Sequence, residues 1–383
     1  MSEPIAVEFG RIPLRTRRDA APRFRFDLGP GDLAALLPGE PAYRTRQIWE
    51  GLYDQGRDID ELTNVSKQLR ARLAHEPTMA TSLAVVDESA DEGATTVKWL
   101  WRLHGGAEIE TVLMHYDDRS TVCISSQAGC AMACGFCATG QGGFERHLSV
   151  GEIVEQVVRA RRRAADDGRR LSNVVFMGMG EPMANYNAVW GAVERLHGDL
   201  GLSARHLTIS TVGLVPGIRR LTEETLPVNL AVSLHAANDE LRNELVPINR
   251  TYPLDALADA CADYVTHTGR RLSFEWALID GTNDRQSDAA ELADYALLLR
   301  AHVNLIPLNP TPGYPTVGTA RPGVIAFRNE LLRRGVNATI RQNRGTGIDA
   351  ACGQLRASHR PPTVATSRVS VGNEAAGPLP LHP

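Results

Sequence analysis

The sequence predicts an α/β fold whose core is a parallel sheet closed toward a barrel. Three observations carry that prediction. From residue 120 onward the pattern runs strand, loop, helix, six times in succession, the signature of βα units feeding a parallel sheet. The 383 residues, 43% hydrophobic and 22% charged, suit one large catalytic domain with a smaller one beside it. Each cluster of chemistry-bearing residues falls at the C-terminal end of a predicted strand. Parallel barrels gather their ligands there, which favours a barrel over a doubly wound sheet.

Residues 1–25 read as a basic flexible arm, with Arg11, Arg15, Arg17, Arg18, Arg23 and Arg25 opposed, within 11–25, only by Asp19. Residues 26–105 read as a small, mainly helical accessory domain. In it Asp32 caps a short helix through Leu33, Leu36 and Leu37. Pro41 opens a second helix, with Tyr43, Ile48, Trp49, Leu52 and Tyr53 at helical spacing, and 62–73 forms a third. Lys98-Trp99-Leu100-Trp101 and 109–115 alternate as strands. The core spans 116–349. Its strands are expected at 121–125, 173–177, 206–210, 228–233, 272–278 and 302–306. Its helices are expected at 150–164, 185–198, 215–221, 238–247, 254–267, 287–300 and 322–334, and a strand-like 336–341 follows. Residues 350–358 form a cysteine-bearing loop, and 359–383 a flexible tail poor in large apolar groups.

A net charge of −4 gives no argument for nucleic acid binding. A second arginine block, Arg159, Arg161, Arg162, Arg163, Arg169 and Arg170, could meet phosphates. A solvated helix end explains it more simply. No apolar run is long enough to span a bilayer and no apolar signal core opens the chain, so a cytoplasmic protein is expected. There are six cysteines, and four lie within fifteen positions. In such a compartment this clustering points to metal or catalysis rather than a structural disulfide.

The loop Cys130-Ala-Met-Ala-Cys134-Gly-Phe-Cys137 follows the first strand of the repeat. Three thiolates on a short loop can ligate three irons of a [4Fe–4S] cubane and leave the fourth iron without a protein ligand. The amino and carboxylate groups of S-adenosylmethionine can occupy that open position, with the sulfonium beside the cluster. An electron can then break a carbon–sulfur bond and release a 5′-deoxyadenosyl radical. Structural zinc would want a fourth Cys or His. On these residues the chain resembles the radical S-adenosylmethionine superfamily. The resemblance implies a partial (β/α)6 barrel over roughly 116–349.

Other strand ends carry candidate cofactor contacts. Met177-Gly-Met-Gly180-Glu181-Pro182 looks like the superfamily's motif for the amino group of S-adenosylmethionine, carried by Gly180 and Glu181. Ser210 ends the third strand, Ser233-Leu234-His235 the fourth, and Asn309 follows the sixth. Singly, Ser210 reads as a helix cap, His235 as a satisfied core histidine and Asn309 as a turn residue before proline. Their shared position at successive strand ends points to the ribose and methionine parts of the cofactor.

Cys123 lies seven residues before the cluster loop, and Cys352 sits among Gly345, Gly347 and Gly353. That glycine-rich setting favours a catalytic thiol at Cys352, whereas Cys261 reads as a small core hydrophobe. Five stretches, 123–130, 177–182, 233–239, 246–249 and 349–355, make the chain similar to the bacterial dual-specificity RNA adenine-C2 methyltransferases. The resemblance covers roughly 26–355. It implies substrates in 23S ribosomal RNA, at the peptidyl-transferase centre, and in tRNA, at the adenine 3′ of the anticodon. It implies two S-adenosylmethionine molecules consumed per methylation. Cys352 takes a methyl group from one, and the second gives the radical that abstracts hydrogen from it. The methylene radical adds to C2, and Cys123 resolves the adduct through a transient disulfide with Cys352. Glu110, thirteen residues before Cys123, matches the family's proton acceptor; without the resemblance it reads as a strand residue facing solvent.

The same reading brings an electron donor such as flavodoxin or ferredoxin, no membrane, and a monomeric chain. Two alternatives stand beside it: methylation of C8 of the same ribosomal adenine, as in the related antibiotic-resistance methyltransferases, and a non-catalytic cluster-bearing RNA-binding protein. The arginine-rich arm and the polar tail depart from the family pattern. So does Val212, where some relatives have serine.

Overall fold

A computed structural model describes residues 22–311, 314, 317–341, 344–351 and 353–355. Helices α1 (Pro30–Ala35), α2 (Tyr43–Tyr53) and α3 (Lys67–Ala74) lead into an antiparallel meander of β1 (Leu83–Ala90), β2 (Thr96–Leu103) and β3 (Glu108–His115). Two expectations shift here. Asp32 supports α1 from inside its first turn, where its carboxylate accepts the Gly29 N–H at 2.8 Å, rather than from the cap position. The helix expected over 62–73 begins only at α3, where Ser66 Oγ accepts the Leu69 N–H at 3.3 Å. Residues 62–66 are turn and coil, with Leu62 fully buried.

The strand–helix repeat then runs as expected. It comprises β4 (Ser120–Cys123), a short hairpin of β5 (Gln127–Gly129) and β6 (Phe144–His147) enclosing α4 (Ala138–Gln141), then α5 (Val150–Asp166) and β7 (Leu171–Phe176). It continues through α6 (Tyr186–Gly198), β8 (Leu207–Thr211), α7 (Val215–Thr222), β9 (Asn229–Ser233), α8 (Asp239–Leu245) and α9 (Leu254–Thr268). It ends with β10 (Ser273–Leu278), α10 (Gln286–Leu298), β11 (His302–Pro307), α11 (Arg321–Arg333) and β12 (Ala338–Ile340).

Ten of the twelve described strands form one sheet in the order β1-β2-β3-β4-β7-β8-β9-β10-β11-β12, and β5 and β6 pair with each other. Pairing is antiparallel from β1 to β4 and parallel from β4 to β12. The accessory strands therefore extend the barrel sheet rather than forming a sheet of their own. β1 and β12 are its two edges, so the barrel is a partial one.

Helix α5 is the main brace. Ser149 Oγ accepts the Glu152 N–H at 3.2 Å while Glu152 accepts the Ser149 N–H at 2.9 Å, a reciprocal cap. Ile153, Val154, Val157 and Val158 bury its apolar stripe. Its arginines are spent inside the molecule: Arg159 pairs with Glu155, Arg162 with Glu61, and Arg163 with Glu88 and Asp167. The block is therefore largely tied up in ion pairs and hydrogen bonds within the chain rather than being the solvated helix end expected from the sequence. No helix among the described residues is long and apolar enough to cross a membrane.

Candidate active site

The C-terminal ends of the parallel strands surround one cavity. Its lining includes Cys130, Cys134, Cys137, Gly180, Glu181, Ser210, Ser233, His235 and Asn309. All nine are candidates from the sequence: the cysteines by spacing, Gly180 and Glu181 by resemblance, the rest by position at strand ends.

Close backbone contacts shape the cysteine loop. A Cβ on Gly129, which has φ +70°, would come 2.0 Å from the Gly143 carbonyl oxygen, and one on Gly140 would come 2.9 Å from that of Cys134. Only glycine lets the loop and hairpin close this tightly. The Cys137 N–H donates to the Cys134 carbonyl at 3.1 Å, and Cys137 then opens α4. Phe136 packs edge-on to His235, ring centroids 4.8 Å apart.

Burial pushes the Cys130 thiol up to about 12 and the Cys134 thiol well above its usual range. Metal binding must therefore displace their protons. Among the described residues no three His, Cys, Asp or Glu groups are placed to hold a single ion. A cubane asks for something different, one thiolate on each of three irons. The donor set fits that demand, with the cavity opening beyond it toward Gly180 and Glu181.

The Met177–Pro182 turn is pressed onto the strand before it. A Cβ on Gly178 would lie 2.7 Å from the Ile124 carbonyl, and one on Gly180, φ +102°, 2.5 Å from Gln127 Cβ. The Glu181 N–H donates to Gln127 Oε1 at 2.8 Å. Its buried carboxylate accepts the Met183 and Val212 N–H groups, each at 2.9 Å. Burial raises it to about 7 even so. With Thr211 also hydrogen-bonded to it, the carboxylate keeps one lone pair for an ammonium group. The Val212 departure is immaterial to this bond, because the main chain supplies the donor.

Ser210 does not cap the following helix, whose N-cap Leu214 has no side-chain partner; in the turn before it Thr211 Oγ1 accepts the Gly213 and Leu214 N–H groups at 3.1 and 3.2 Å. Ser210 is left to line the cavity. His235, held at φ +59°, accepts the Ala277 N–H on Nδ1 at 3.0 Å. Burial and then the nearby Arg242 charge depress it to about 3, so its ring is neutral with the proton on Nε2. Leu234 is not among the lining residues. Its side chain is fully buried, and its carbonyl accepts Arg242 Nε at 3.0 Å.

Arg242 escaped notice in the sequence. It is fully buried and donates to the Val212 carbonyl at 2.8 Å and Asn249 Oδ1 at 2.6 Å. Asn249 in turn donates to Asp239 Oδ1 at 2.8 Å. The motif at 246–249 is thus half of a clamp on the ends of β8 and β9. Glu275 and Arg341 were also missed, and both line the cavity. Asn304 Nδ2 donates to Glu275 Oε1 at 2.9 Å, and Arg341 Nε lies 3.6 Å from Oε2. A buried carboxylate inside an otherwise apolar strand, Ser273-Phe-Glu-Trp, was the available signal.

Glu110 does not face solvent. It is 2% exposed, and its Oε1 lies 3.0 Å from Lys98 Nζ. Neither it nor Cys123 is among the cavity's lining residues. They stand on adjacent strands, with Val112 opposite Cys123, and Cys123 pairs with Val175 beside the lining residue Phe176. Cys352 lies outside the described residues. Its neighbour Gly353 lines the cavity, and the Gly353 carbonyl accepts the Ala138 N–H at 2.8 Å, directly after Cys137. Cys261 is fully buried in the core as expected, and no disulfide joins any two of the described cysteines.

Comparison with known proteins bears on what this arrangement does. Residues 124–293 match the radical SAM superfamily, and residues 34–78 match the ribosomal RNA large subunit methyltransferase N-terminal domain. A probable dual-specificity RNA methyltransferase RlmN of Frankia casuarinae is 50% identical over 373 residues, covering 93% of this chain and 88% of that protein. Another of the same name, from Roseiflexus castenholzii, is 46% identical and covers 89% of this chain and 97% of that one. A crystal structure of a radical SAM methyltransferase from Sphaerobacter thermophilus superposes with a TM-score of 0.85 at 49% identity, over 88% of this chain and all of the other.

Proposed function

The chain belongs to the RlmN family of radical S-adenosylmethionine RNA methyltransferases, and from that premise we propose that it methylates C2 of adenine in 23S ribosomal RNA and in tRNA. The observation that carries this reading is the identity of about half to RlmN relatives along nearly the whole chain, with all three cysteines and the Gly180-Glu181 turn on one cavity. The family brings a [4Fe–4S] cluster and S-adenosylmethionine. When bound, the cluster supplies the electron that breaks a carbon–sulfur bond of S-adenosylmethionine.

The chain's own residues do the rest. Cys130, Cys134 and Cys137 hold the cluster. Glu181 takes the cofactor's ammonium group, and Gly180 lets the backbone come close to it. Ser210, Ser233, His235 and Asn309 line the remaining length, with Leu234 contributing only through its main chain. Cys352 carries the methyl group, Glu110 accepts a proton, and Cys123 releases the product through a transient disulfide with Cys352. A flavodoxin- or ferredoxin-type donor, a monomeric enzyme and a cytoplasmic setting complete the reading.

Anaerobic reconstitution followed by mass spectrometry of nucleosides from both RNA substrates tests it. The expected product is 2-methyladenosine. 8-Methyladenosine would replace the reading with the C8 alternative, and no methylated adenosine on either RNA would remove it.

A further inference from the structure

Lys98 lies in β2 beside Trp99, Leu100 and Trp101, with its side chain 13% exposed. Its ammonium is 3.0 Å from Glu110 Oε1 and donates to the Asp349 carbonyl at 3.3 Å. The two partners come from distant parts of the chain. Glu110 sits on the neighbouring strand, and Asp349 is 251 residues further on, three before Cys352. Withdrawing an ammonium from water is costly unless charge and hydrogen bonds are restored. Apolar neighbours fill the same strand comfortably, so packing alone does not call for a lysine here.

The segment it reaches is shaped to meet it. Residues 346–348 form one tight turn between Gly345 at φ +66° and Asp349 at φ +51°. A non-glycine residue in that left-handed region costs about 1 kcal/mol. The turn seats directly on β2, where a Cβ on Gly345 would come 2.9 Å from Thr96 Cγ2. Thr96 thus receives the segment by shape and Lys98 receives it by hydrogen bond, two residues apart on one strand.

We propose that Lys98 is a positioning residue that holds the Glu110 carboxylate and the segment leading to Cys352 in one frame. The inference rests on the reading of Glu110 as proton acceptor and Cys352 as methyl carrier. Both groups must address the same adenine, and a displacement of about 1 Å in either costs roughly a hundredfold in rate. A cation held by both Glu110 and the Asp349 carbonyl ties the carboxylate to the start of that segment.

The test compares Lys98→Met, Lys98→Arg and Glu110→Gln as full-length, anaerobically reconstituted enzymes. Methylated adenosine, 5′-deoxyadenosine, iron content and hydrogen exchange over 345–355 are the readouts. Lys98→Met is expected to bind iron as the wild type does, to make methylated adenosine roughly tenfold to a hundredfold more slowly, and to exchange faster over 345–355. Lys98→Arg is expected to restore most of the rate. Methylation by Lys98→Met within about twofold of wild type would overturn the proposal. So would equal defects in both lysine variants accompanied by equal losses of melting temperature, the mark of a purely structural pair. Wild-type methylation by Glu110→Gln would instead remove the proton-acceptor reading, and this inference with it.

Discussion

The ends of the parallel strands and the wall formed by β2 and β3 are built on different principles. At the strand ends, positions are set by backbone: Glu181 by two N–H groups, His235 by the Ala277 N–H, the cysteine loop by glycines that admit no side chain. On the wall, Glu110 is met by a lysine ammonium, and the same lysine also reaches the Asp349 carbonyl. Backbone ties are rigid and survive many substitutions. A side-chain tie between distant segments is specific and vulnerable to one. The strand ends therefore read as a fixed frame, and the wall, with the methyl-transfer role proposed for Glu110, as something aligned against it.

The largest effect that would sharpen this contrast is at the cluster. Cys134→Ala should leave iron below stoichiometric loading and methylated adenosine undetectable, as iron analysis and nucleoside mass spectrometry would show. An active Cys134→Ala enzyme would break the comparison at its root. Next comes the clamp. Arg242→Met strands buried carbonyls on β8 and β9, and should cost roughly 3 kcal/mol in urea unfolding. A loss under about 1 kcal/mol would mean that the frame does not depend on it.

A smaller effect is pH-dependent. His235 titrates near 3 when folded and near 6.5 when unfolded, so the unfolded chain binds the extra proton first as pH falls. The stabilisation is present above 6.5 and is lost toward 3. The stability gap between wild type and His235→Gln should narrow by at most about 1.4 kcal/mol per pH unit over that window. A gap independent of pH would contradict the neutral buried ring. The smallest effect is outside the site. Ser149→Ala removes the cap of α5 and should lower stability by about 1 kcal/mol with methylation rates unaltered.

The same division explains what could be read from sequence. The parallel strands and their helices announce themselves through apolar runs and helical periodicity, and the motifs at their ends follow from position. The hairpin of β5 and β6 was invisible, because Gln127-Ala-Gly129 and the glycines at 142 and 143 carry no strand pattern. Arg242 hid inside the polar helix Asp239-Glu-Leu-Arg, where a charged residue is ordinarily solvated. Lys98 hid for the same reason, one charge in an aromatic strand. Glu110 was found only by resemblance. Its partner Lys98 reaches it through the pairing of β2 and β3, and no local pattern encodes that.

One contact has a consequence for how the protein is made. Thr139 Oγ1 donates to the Leu355 carbonyl at 2.5 Å across 216 residues, and Ala138 holds the Gly353 carbonyl beside it. A ribosome delivers the cysteine loop long before it delivers the strap that closes over α4. Through most of translation Cys130, Cys134 and Cys137 exist without those contacts beside them. Gly353 and Leu355, which line the cavity, are therefore the last described part of its wall to be made.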